Sequence, residues 1–233
     1  MPGTVDAAIW LLSVLLELLV VVFAIRHRMF RKFFFLNLYM LFWALASIGR
    51  FQVLAHYGGF RSLTYRYFYF YSDALLGIAR FFALMNLFVR LFEDMKVERY
   101  VRLAAVLLLS GIACFSLAVV LNQSSERMLT HFVFELGQNL YFVALVLTYV
   151  LWGAILKLRE TRTVLVQLVL SLGIYLSACT ASYSLSNLQA SFFAYLHFVP
   201  VMGCLLPLSW AYTFWRVPED APLAPSRLVA SQR

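Results

Sequence analysis

Residues 6–32 read DAAIWLLSVLLELLVVVFAIRHRMFRK, and this stretch decides the fold. Twenty apolar-dominated positions end abruptly in a basic cluster, Arg26, Arg28, Arg31 and Lys32. About 20 such residues, rising roughly 1.5 Å each, cross the hydrocarbon core of a bilayer. Asp6 stands before the run, no basic residue precedes it and no small-residue cleavage site follows it. A secretory signal has the opposite layout. The stretch therefore reads as a first membrane helix whose end is held by cations at one surface.

The same alternation continues along the chain. Apolar segments at 34–56, 67–91, 100–121, 129–156, 163–186 and 190–215 bring the expected number of spans to seven. They are too long and too evenly apolar for barrel strands, which alternate lipid-facing and lumen-facing residues. A helix also satisfies its own backbone where water is absent. The expected fold class is an all-α membrane protein, a seven-transmembrane-helix bundle. Its transmembrane domain would cover residues 1–215, with a disordered tail over 216–233. Of the whole chain, 63% is hydrophobic and 13% charged. A soluble domain of this size could not cover so much apolar surface.

Lysine and arginine set the orientation. Fourteen fall on one side, including Arg90, Lys96, Arg99, Arg102, Lys157, Arg159, Arg162 and Arg216. The other side has Arg61, Arg66 and Arg127. The basic side should be cytoplasmic, with the N-terminus outside and the C-terminus inside. The net charge of +8 is thus spread over short loops, with no stripe broad enough for a phosphate backbone, so no nucleic-acid partner is expected. Cys114, Cys179 and Cys204 lie singly inside apolar stretches and read as packing residues.

Ionisable groups within the spans stand out, because each costs about 2.5–3.5 kcal/mol at the centre of a membrane helix. They are Glu17, Arg50, Asp73, Arg80, Glu135 and His197. From the helical rise, Asp73 lies roughly 9 Å and Arg50 about 7 Å outward of mid-span; Glu135 and His197 lie roughly 9–12 Å outward. Glu17 and Arg80 fall near the midplane. Asp73, Gly77 and Arg80 share one helix stripe; His131, Glu135, Gln138 and Asn139 share another. Ser177, Thr180, Ser182 and Ser184 add polar groups at a similar depth. Pro200 and Pro207 can loosen the last helix. Depth alone pairs Arg50 with Asp73 and Arg80 with Glu17. The candidate ligand-binding or buried polar network is therefore Glu17, Arg50, Asp73, Arg80, Glu135, Gln138 and His197. The aromatic run Tyr65, Tyr67, Phe68, Tyr69, Phe70 and Tyr71 reads as an interfacial belt, with a ligand-facing wall as the alternative.

Several chemistries lack their residues. Schiff-base retinal needs a lysine in the last helix, and the lysines are Lys32, Lys96 and Lys157. The receptor motifs Asp-Arg-Tyr and Asn-Pro-x-x-Tyr are missing. His56, His131 and His197 make a poor di-histidine haem set. No His-Glu-x-x-His or Gly-x-Ser-x-Gly occurs. Neither enzyme activity, nor a cofactor, nor a metal is expected.

RHRMFRKFFFLNLYMLFWALASIGRF at 26–51, followed by YRYFYFYSDALLGIARFFALMNLF at 65–88, resembles a family of uncharacterised bacterial seven-helix integral membrane proteins. The likeness lies mainly in residues 1–95. It extends to an acid in the first helix, here Glu17, and to the turn Phe30-Arg31-Lys32-Phe33. An acid follows the tyrosine-rich opening; Asp73 stands where the family pattern has Glu. The resemblance implies a bacterial inner-membrane location and a shared core of Glu17, Arg50 and Asp73, without a known activity. The leading expectation is a sensor or receptor-like module. A small ligand would enter the outer half, and a protein partner would meet the basic loops. An accessory or scaffold subunit of a membrane complex and a small-solute or proton-coupled transporter are the alternatives.

Overall fold

The computed structural model describes residues 4–56, 62–93, 98–122, 128–158, 162–188 and 198–217. Among them are seven helices and no β-sheet. They are α1 Thr4–Arg26, α2 Phe34–His56, α3 Leu63–Leu91, α4 Glu98–Asn122, α5 Met128–Leu158, α6 Thr163–Leu188 and α7 Phe198–Arg216. Helices α1 to α6 are each long and apolar enough to cross a membrane. The chain is thus a multi-pass, all-helical membrane protein.

Helices α1, α2, α3, α5, α6 and α7 pack in sequence, and α7 closes back on α1. Helix α4 stands outside this ring against α5 and α3, while α3 also reaches α6 across it. Helix α3 touches α2, α4, α5 and α6, and its inner face is almost wholly buried from Leu76 to Leu91. Lipid-facing leucines and phenylalanines account for most exposed apolar residues, such as Leu107, Phe115, Phe142 and Leu156.

Local chemistry sets the helix ends. Helix α1 stops where Arg28 takes a left-handed backbone, φ 59°, so that Met29 and Phe30 N–H both donate to Ala24 C=O at 2.9 and 3.0 Å. Helix α3 begins four residues before its predicted start. Ser62 caps it, its Oγ accepting from Tyr65 N–H at 3.2 Å, which draws Tyr65 and Arg66 into the first turns. Helix α7 runs through Pro207 to Arg216, one residue into the predicted tail. The predicted start of the last span at 190 and the tail beyond Val217 lie outside the described residues. Gly77 is not what lets α5 approach α3, since a Cβ there would meet Leu140 at 3.6 Å, an ordinary contact.

Candidate functional site

Arg80 occupies the centre of the ring. It projects from the buried face of α3 and is 7% exposed. Its Nε–H donates to Tyr39 Oη on α2 at 3.3 Å, and its guanidinium carbon lies 4.9 Å from the Tyr141 ring centroid on α5 and 5.7 Å from that of Tyr39. Tyr175 on α6 completes the surrounding electrostatics. Aromatic contacts extend outward: Tyr39 to Trp43 at 5.5 Å, Trp43 to Tyr175 at 5.6 Å and Tyr39 to Trp210 at 6.3 Å between centroids. Negative ring faces partly replace the water a guanidinium has lost. Among the described residues no carboxylate forms an ion pair with it.

Glu17 is the second buried ionisable group and is fully inaccessible. Ser13, one turn earlier on α1, donates to its Oε1 at 2.9 Å, while Oε2 has no hydrogen-bond partner. The expected Arg80–Glu17 pair is not formed. The reason is topological: α1 and α3 both pack on α2, which stands between them. Tyr39 of α2 lies within electrostatic range of both groups and takes the arginine's hydrogen bond itself.

The expected Arg50–Asp73 contact is present, at 3.4 Å. It is the weaker part of Arg50's setting. Arg50 Nε–H donates to Ser72 Oγ at 2.8 Å, an Nη–H donates to Tyr69 C=O at 3.3 Å, and the guanidinium lies 4.1 Å from the Tyr69 ring centroid. The Asp73 side chain is 52% exposed. It shares a stripe with Arg80, but a helix face enclosed at mid-span is open near its outer end. Asp73→Ala should therefore cost little, and a double-mutant cycle with Arg50→Ala should give a coupling below about 1 kcal/mol. Thermal unfolding of the four proteins in one detergent measures it; a coupling above about 2 kcal/mol would restore Asp73 to the core.

Of the remaining candidates, the described Glu135 and Gln138 make no hydrogen bond or ion pair with this centre. Glu135 is half-buried and Gln138 exposed on α5. Their neighbour Asn139 turns to α4, donating from Nδ2 to Ser116 Oγ at 3.0 Å. Ser177 and Thr180 spend their hydroxyl protons on the α6 carbonyls of Gly173 and Leu176, at 2.7 and 2.8 Å. His197 and the side chains of Ser182 and Ser184 lie outside the described residues. The aromatic run at 65–71 does not act as a uniform belt. Tyr69 takes Arg50, Phe70 meets Phe134 at 5.6 Å, the Phe68 ring lies over Gly49 of α2, and Tyr71 is exposed.

Tyr39, Trp43, Tyr141, Tyr175 and Trp210 were absent from the sequence candidates because each reads as ordinary membrane packing. The i, i+4 spacing of Tyr39 and Trp43 was the available signal. Comparison with protein-family models, with curated proteins and with solved structures returns no match for this chain.

Proposed function

We propose that the chain is a non-enzymatic sensor or receptor-like module of the bacterial inner membrane. In this reading α7 is the seventh span, the N-terminus lies outside and the C-terminus in the cytoplasm. A small ligand enters the outer half of the bundle, and the basic loops pass the response to a protein partner.

One observation carries the reading: Glu17 and Arg80 are both buried, sit one helix apart and are unpaired. Ionisable groups retained only to lock packing gain most when closed on each other, since an uncompensated buried ion such as the Arg80 guanidinium costs several kcal/mol. An open arrangement instead holds free energy that a ligand or a shift of α2 can release. A population switch needs that difference between two states. The carrier alternative fits less well, because Leu84, Leu87, Leu151, Leu168 and Leu172 are all fully packed along its inner route.

Cys179 is buried within electrostatic range of Tyr39 and Tyr175 and serves as the reporter. With Cys114 and Cys204 changed to Ser, a water-soluble maleimide is added to spheroplasts. Glu17→Gln should alter the Cys179 labelling rate about tenfold, equivalent to roughly 1.4 kcal/mol in the equilibrium between closed and open centres. Equal rates in parent and variant would remove the two-state centre, and the sensor reading with it.

A further inference from the structure

Arg80 brings hydrogen-bond donors and no acceptor to the middle of the bundle, because a guanidinium carries N–H groups only. Its Nε–H goes to Tyr39 Oη at 3.3 Å, and no described residue accepts from either Nη. Tyr39 is 1% exposed. Its oxygen accepts from the arginine, and its own O–H has no acceptor among the described residues. The ring faces of Tyr39 and Tyr141 attract the charge but offer it no oxygen. Other buried donors are closed on the backbone. Trp210 Nε1–H reaches Leu168 C=O at 3.2 Å, Asn37 Nδ2–H reaches Phe33 C=O at 2.9 Å and Thr148 O–H reaches Ala144 C=O at 2.7 Å.

No acid of the sequence is placed to answer the charge. Glu17 stands on α1, with α2 between. Asp73 lies about 9 Å outward of mid-span beside Arg50, and Glu135 roughly as far or farther. The remaining acids fall at or beyond the helix ends. A buried shell with one positive charge and unspent N–H and O–H groups is complementary to one negative charge on an acceptor atom.

We propose that Arg80 and Tyr39 bind one small monovalent anion, a carboxylate or a halide, near the membrane midplane. The Nη groups and the Tyr39 O–H are its donors. A second negative charge would find no second cation, since Arg50 is engaged by Ser72, Tyr69 and Asp73. Only 7% of Arg80 is accessible, which restricts the occupant to a few atoms. This names a ligand class for the centre described above. It rests on the sensor reading for the ligand's role, not for its binding.

The test is thermal unfolding of the full-length protein in a neutral detergent at constant ionic strength. Gluconate, too bulky for the centre, is replaced stepwise by chloride, formate or acetate. The midpoint should rise with the logarithm of the anion concentration once that exceeds Kd. Arg80→Met should lose the response. Arg80→Lys, which keeps the charge without the planar fork, should retain a weaker one. Tyr39→Phe should raise the concentration required about fivefold. Arg216→Gln, at the exposed end of α7, should respond as the parent does. A response at lower chloride than formate or acetate assigns the halide; the reverse order assigns the carboxylate. No response in the parent beyond gluconate, as water alone at the centre would give, overturns the proposal. So does an equal response in parent and Arg80→Met. The sensor reading fails separately: an Arg80-dependent response with Cys179 labelling unmoved by Glu17→Gln keeps the site and removes the sensor, whereas altered labelling without any anion response removes the site alone.

Discussion

Arg80→Met is expected to leave the protein at least as stable as the parent, and up to about 1–4 kcal/mol more stable, in detergent unfolding experiments. The residue is 7% exposed and makes one hydrogen bond, to Tyr39, among the described residues. Methionine fills much of the same volume without a charge. Its loss side is the attraction to the Tyr39 and Tyr141 rings, about 0.5–2 kcal/mol for each well-placed contact. Its gain side is the desolvation cost of an ion without a carboxylate partner, several kcal/mol. The second term is larger, so the charge is held against stability. Glu17 and Arg80 do not touch but share Tyr39 within electrostatic range, so Glu17→Gln and Arg80→Met should show a coupling of about 0.5 kcal/mol or more. A loss of more than about 1 kcal/mol in Arg80→Met would make the arginine a packing element and withdraw the main support for a sensing role.

Trp210→Ala is expected to cost about 3–5 kcal/mol, the largest loss of any single truncation considered. The indole is fully buried where α7 meets α6, and Nε1–H donates to Leu168 C=O at 3.2 Å. It also packs edge-on against Tyr39, so its removal opens a void beside the Arg80 centre. Lipid cannot enter such a void without separating helices, and the neighbours lose their contacts outright. Trp215 on the same helix is the control. It is 53% exposed and stacks on Phe23 at 6.0 Å, so Trp215→Ala should cost less than about 1 kcal/mol. Unfolding in mixed micelles compares the two. Similar losses would mean that α7 is held by its lipid-facing side and not by the aromatic centre.

Both expectations concern residues whose surroundings the sequence did not disclose. Arg80 was legible as an intramembrane charge, because its cost in lipid depends on residue type and depth alone. Its partners were not legible. Depth offered Glu17 as a counter-ion at the right height, and height carries no information about which helix lies between. Asp73 was legible as the partner of Arg50, a contact present at 3.4 Å, while its exposure followed from how open the bundle is at that level. The cluster of Lys32, Arg90 and Arg162, where Arg90 donates to Lys32 C=O and Arg162 to Arg90 C=O, was read as loop charge. Residues separated by up to 130 positions meet there only after three helix ends converge.

From the sequence alone came the helices and the membrane. Long apolar segments must satisfy every backbone group internally in lipid, so segment length and composition leave no other regular structure. Tertiary structure alone decided the neighbours: α4 outside the ring, α2 between the helices of Glu17 and Arg80, and tyrosines in place of a carboxylate around Arg80. Lipid solvates every apolar helix face almost equally well. Helix partners are therefore chosen by close packing and a few polar contacts, which a linear hydrophobic pattern does not record.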